Sequence, residues 1–191
     1  SHSFGIFKIQ LNSKVIGLLA PALKVKPFHA FELDNVEYAS VREGIDFAIE
    51  VIQSNPKLQQ FYWGNNPIES MGGANRLVNA IISHPSIDKI TLENCFGENV
   101  DAYDVLCSLL ASSKQFSHID LETNNVRTGG RTEIPDFLAT NPPLETLLLA
   151  NNHLDDNDAV MFASALRKNT YLRRLHLGQN DITETGRVAL R

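Results

Sequence analysis

The chain has 191 residues, 43% of them hydrophobic, and a formal net charge of −5 at pH 7. No run approaches the ~20 apolar residues that a membrane-spanning helix needs, and no basic run is present, so the mild acidity disfavours nucleic acid and anionic membrane as partners. Only two cysteines occur, Cys95 and Cys107, which speaks against a disulfide-stapled extracellular chain and for an intracellular setting, cytoplasmic or (after removal of a targeting segment) organellar.

Taken in chain order, seven segments share one spacing: an apolar start, then anchor places three, five, eight and ten residues later. Phe4, Phe7, Ile9 and Asn12 fit the first, with Lys14 in the last apolar place, and this frame points Ile6, Lys8 and Gln10 outward. Phe28, Phe31, Leu33 and Tyr38 fit the second, with Val36 in the asparagine place. Leu58, Phe61, Trp63, Asn66 and Ile68 complete the third, and Ile87, Ile90, Leu92, Cys95 and Gly97 form the fourth. Phe116, Ile119, Leu121, Asn124 and Val126 make the fifth. Leu144, Leu147, Leu149, Asn152 and Leu154 make the sixth, and Leu172, Leu175, Leu177, Asn180 and Ile182 the seventh. The starts at 4, 28, 58, 87, 116, 144 and 172 lie 24, 30, 29, 29, 28 and 28 residues apart.

Each interval holds a short strand, a loop and a helix of about three turns. Helical stripes are visible at Val41, Ile45, Ala48 and Ile52, at Leu106, Leu109 and Leu110, and at Ala159, Phe162, Ala163 and Leu166. Asn55-Pro56, Asn141-Pro142 and Asn169-Thr170 each stand three residues before a coil start and mark helix exits. Pro135 comes early in its helix, where a missing amide costs little. The apolar patch from Val15 to Leu23, interrupted by Pro21, reads as a coil helix and not as a signal peptide.

The spacing L-x-x-L-x-L-x-x-N-x-L, best seen in Leu144–Leu154, is similar to that of leucine-rich repeats. The runs Asn66-Pro67-Ile68 with Gly72, Asn124-Asn125-Val126 with Gly130, and Asn180-Asp181-Ile182 with Gly186 resemble the ribonuclease-inhibitor-like class. Asn152-His153-Leu154 matches too, with Asp158 in place of the glycine. The resemblance implies an α/β solenoid of about seven coils, a horseshoe or arc. A parallel sheet would line its concave face and helices its convex face, and the asparagine side chain would bond backbone at the turn. It also implies use as a protein-binding surface. One unbroken repeat argues for a single domain over residues 1–191. The abrupt ends, at Phe4 and Arg191, raise the expectation that this domain belongs to a longer chain or is covered by neighbours.

Alternate strand residues face away from the core, and among them Glu32, Asp34, Tyr62, Lys89, Glu93, His118, Asp120, Glu122, Leu148, Arg174 and His176 are the candidates for gripping a protein. The carboxylates suit a partner with a basic contact surface, and Tyr62 and Leu148 suit anchors. The plain alternative is a solvated polar sheet face. His118, Asp120 and Glu122 spread over roughly 13 Å of strand, too wide for one metal ion. Gly72-Gly73 and Gly129-Gly130 are explained by tight turns without a phosphate. No P-loop, nucleophile elbow or zinc-protease motif occurs. The expectation is a non-catalytic interaction scaffold without cofactor. Accessory subunit of a larger complex, and regulatory module of the GTPase-activating or sensor type, stand as alternatives.

Overall fold

A strand followed by a helix recurs through residues 2–191, which the computed structural model describes. The coils gather into two compact units, residues 1–100 and 101–191.

In the first unit β1 (Ser3–Phe7), β3 (Ala30–Asp34), β5 (Gln60–Gly64) and β6 (Lys89–Glu93) pair in parallel in that order. Between them run α1 (Ser13–Lys24), α2 (Val41–Ser54) and α3 (Met71–Ser83), and a short second ladder joins β2 (Gln10–Leu11) to β4 (Glu37–Tyr38). In the second unit α4 (Ala102–Ala111) is followed by β7 (His118–Asp120), α5 (Glu133–Ala139), β8 (Thr146–Leu148), α6 (Asp156–Leu166), β9 (Arg174–His176) and α7 (Glu184–Ala189). Here too the strands pair in parallel, β7 with β8 and β8 with β9.

The inward residues of successive coils lie in register and form the core. Phe31, Phe61 and Ile90 share one row, and Leu33, Trp63 and Leu92 the next, all at most 1% exposed. Burying each is worth roughly 1.5–3 kcal/mol, a gain that exists only once the neighbouring coil is present. Trp63 is core, as its place predicts: it stacks on Tyr38 at 6.0 Å and donates from Nε1 to the Asn66 carbonyl. Within each unit the helices complete the core, with Ile45, Ala48 and Ile52 of α2 in the first and Leu106, Leu109 and Leu110 of α4 and Phe162 of α6 in the second. In α6 the stripe is narrower than expected, with Ala163 and Leu166 only half-buried.

The first coil corrects the sequence frame. Phe4 pairs with Phe31 and Ile6 with Leu33, so the coil sits three residues earlier than its phenylalanines suggested. Ile6 therefore points inward, 8% exposed, and Phe7 points outward, 52% exposed. The left-handed residue that follows each strand confirms the frame, with Lys8, Asn35, Asn65, Asn94, Thr123, Asn151 and Gln179 all at φ between 46° and 61°.

At Asn66, Asn152 and Asn180 the asparagine expected at the turn bridges two coils, whereas Asn12, placed in the same role by the sequence frame, instead caps α1 by accepting from Val15 N. Asn152 accepts on Oδ1 from the amides of Asn124 and Val126, and its Nδ2 lies 3.0–3.1 Å from the carbonyls of Leu121, Leu149 and Ala150. Asn66 accepts from Val36 N and donates to Leu33 O, and Asn180 accepts from Leu154 N and donates to Leu149 O. Where the asparagine is missing, main chain replaces it. The coil carrying Val36 is regular, not shifted, and is tied to its predecessor by the β2–β4 ladder with Glu37 N donating to Ile9 O. The coil carrying Cys95 is tied by the bridge Ile68–Phe96, with Ile68 N donating to Cys95 O.

Helix exits use a second device. Asn169 Oδ1 accepts from the amides of Tyr171 and Leu172, and His84 does the same work on Nδ1 for Ser86 and Ile87. The Gly129-Gly130 pair adopts φ of 59° and 84°, a turn that needs no ligand to explain it. Gly72-Gly73, in contrast, opens α3 with ordinary helical backbone, and a Cβ on Gly73 would press on Ile45 at 3.0 Å.

Asn152→Leu leaves buried amides and carbonyls unpaired at about 1–3 kcal/mol per uncompensated group, so its urea midpoint should fall well below that of Asn180→Leu, whose site is half-exposed. Asp158 is 2% exposed and accepts from Thr128 Oγ1 and Asp155 N. Burial raises its carboxyl above the ordinary 3.8, against the opposing pull of those bonds. The folded state thus binds the proton more tightly than the unfolded one, and ionisation weakens folding as pH rises through the raised value. Asp158→Asn should be at least as stable as the parent near neutral pH. That advantage should shrink as pH falls toward 3.8, read as the difference between their urea midpoints.

Candidate functional site

Parallel pairing sets the outward side chains on a lattice with strands ~4.8 Å apart. In the first unit one row is Gly5, Glu32, Tyr62 and Thr91, and the next is Phe7, Asp34, Gly64 and Glu93. Lys89 lies in the row of Ala30 and Gln60, which separates the cation from Asp34 and Glu93. Glu32, Asp34, Tyr62 and Glu93 are half-buried and Lys89 is exposed. The Tyr62 hydroxyl donates to Glu93 Oε2 at 3.2 Å, and Asn65 Nδ2 donates to Asp34 Oδ1 at 2.7 Å. All five candidate residues of this unit share the outward face.

In the second unit the rows are His118, Thr146 and Arg174, then Asp120, Leu148 and His176. Glu122 crosses the intervening coil to meet His176, with Oε1 2.5 Å from Nδ1. Asp120 requires a correction to the expectation of an available binding carboxylate. It is only 9% exposed and accepts from Glu122 N at 2.9 Å, so it shapes the turn into Glu122. His118 and Leu148 are half-buried, while Arg174 and His176 are exposed.

The sequence frame missed Phe7, because Phe4 and Phe7 fit an apolar spacing equally well. The alternation of Phe4 with Ile6, matching Phe31 with Leu33, is the signal that identifies it.

On the helix side one polar cluster is paired internally. Arg131 lies 3.9 Å over the Tyr103 ring and pairs with Asp101 and Asp104, and the Tyr103 hydroxyl donates to Glu133. Burial, followed by the nearby Glu133 charge, pushes the Cys107 thiol up to about 11, and burial raises the Cys95 thiol well above its ordinary value. Neither is an activated nucleophile, since the thiolate is the reactive form.

Register, turn asparagines and strand–helix alternation define the class of fold, that of the leucine-rich repeats. The family model described as "Leucine Rich repeat" matches residues 140–163 and 168–190. The human NACHT, LRR and PYD domains-containing protein 5 is 25% identical over 139 residues, 72% of this chain and 11% of that protein. Chicken leucine-rich repeat-containing protein 45 is 30% identical over 100 residues, 51% of this chain and 15% of that protein. The chain thus spans a small part of both relatives. The crystal structure of an internalin from Listeria monocytogenes superposes with a TM-score of 0.55 at 15% identity, covering 90% of this chain and 48% of that one, and shares the fold. Among the described residues no helix is long and apolar enough to cross a membrane.

The Glu122–His176 pair is 24% and 56% exposed at its side chains, and exposed pairs contribute about 0–1 kcal/mol. Glu122→Gln and His176→Gln should therefore each leave the thermal midpoint within a few degrees of the parent. A larger loss in either would show that the pair holds the unit together.

Proposed function

We propose that the chain is a non-catalytic interaction module that grips a partner protein through the outward faces of its strands. Leucine-rich repeats are a general protein-interaction scaffold, and the observation that supports this use is the outward lattice itself. It presents carboxylates and aromatic rings in fixed register on a ladder whose inward side is fully committed to the core. The acidic side chains of the first unit suit a partner with a basic contact surface. The helix in each interval supports the ribonuclease-inhibitor-like class. The two cysteine thiols, Cys95 buried and Cys107 half-buried, suit a reducing compartment.

A second reading, an accessory subunit of a larger assembly, draws support from Leu18 and Val25, which are 70% and 79% exposed at the first coil.

Affinity capture from native extract, followed by hydrogen exchange of the complex, tests the first reading. Protection at residues 30–34, 60–64 and 89–93, or at 118–122, 146–148 and 174–176, is expected, and protection confined to the helices would overturn it. Glu93→Lys and Glu122→Lys should each slow association several-fold with little change in thermal midpoint. Asp120 is unsuitable as such a probe, because its reversal breaks a turn.

A further inference from the structure

On the outward face of the first unit two aromatic rings lie along their strands because glycine leaves the space beneath them. A Cβ on Gly5 would stand 2.3 Å from the Phe7 ring, and one on Gly64 would stand 2.3 Å from the Tyr62 hydroxyl. Phe7 and Gly5 belong to β1 and Tyr62 and Gly64 to β5, with β3 between them. Glu32 and Asp34 of β3 therefore occupy the furrow between the two ring-bearing strands, each of which lies one strand spacing of ~4.8 Å away.

The acceptors in this furrow are held but not exhausted. Asp34 takes one bond from Asn65, Glu93 takes one from the Tyr62 hydroxyl, and each carboxylate has about four lone-pair sites. Glu32 makes no side-chain hydrogen bond or ion pair among the described residues. Lys89 lies in the row of Gln60, and Lys8 follows Phe7 at the strand end; both are exposed.

We propose that this furrow receives an arginine side chain from an extended segment of the partner protein. A guanidinium is planar and weakly hydrated, so it stacks against ring faces while its fork of N–H donors meets a carboxylate. A lysine ammonium is compact and strongly hydrated, and would supply the charge without the stacking. This inference rests on the proposed use of the outward face and adds the kind of residue that the face grips.

The test is a nitrogen-15 NMR titration of the chain with a short extended peptide bearing one central arginine, and with the same peptide bearing citrulline or lysine instead. The arginine peptide should shift the amides of Gly5, Glu32, Asp34, Tyr62 and Gly64, and citrulline and lysine should each bind at least about threefold more weakly. Glu32→Gln and Tyr62→Ala should each weaken the arginine peptide by about threefold, while Tyr62→Phe, which keeps the ring, should retain most of the binding. Thermal melts of the variants separate lost binding from lost folding. Equal affinity for the citrulline peptide would overturn the assignment, as would indifference to both Glu32→Gln and Tyr62→Ala in folded protein. Peptide binding on the outward strands without arginine preference would overturn it too, while leaving the broader interaction reading intact. That broader reading falls only if the captured partner protects the helices alone.

Discussion

Each coil must turn sharply after its strand, and the amides and carbonyls freed at that turn find no main-chain partner in regular secondary structure. They are buried, so leaving them unpaired would cost about 1–3 kcal/mol for each group. The rest of the structure depends on bonds carried across to the neighbouring coil. Asn152 shows the solution in full, spanning the turn of the preceding coil and its own with one side chain. Because the bridge has fixed length, it also fixes register, and register decides which side chains face outward together.

That dependence determines how much could be read from the residues. The anchors at Leu144 to Leu154 and the turn asparagines announce themselves, since one residue type is needed at one place. Val36 and Cys95 were opaque for the opposite reason: the substitute is a main-chain bridge, which leaves no mark on residue identity. The first coil misled through Phe7, an aromatic residue outside the core at a spacing that imitates an inward one. His84 hid its equivalence to Asn169 because imidazole and carboxamide look unlike on paper, although each offers one acceptor to two successive amides.

The candidate surface was legible as a set of alternating positions but not as a set of environments. Alternation placed Glu32, Asp34, Tyr62, Lys89 and Glu93 on one face correctly. It could not reveal that Asp120 is withdrawn into a turn, or that Glu122 reaches past a strand to His176. Such pairings depend on side-chain length and local turn shape, and a period of two residues carries neither.

The main-chain joints at Val36 and Cys95 have an evolutionary corollary. A joint made by a side chain ties its position to one amino acid, whereas a joint made by backbone leaves that position open to any residue that fits the interior. The coils joined by backbone can thus drift in composition while staying mechanically coupled, and the repeat can persist in space after fading from the text.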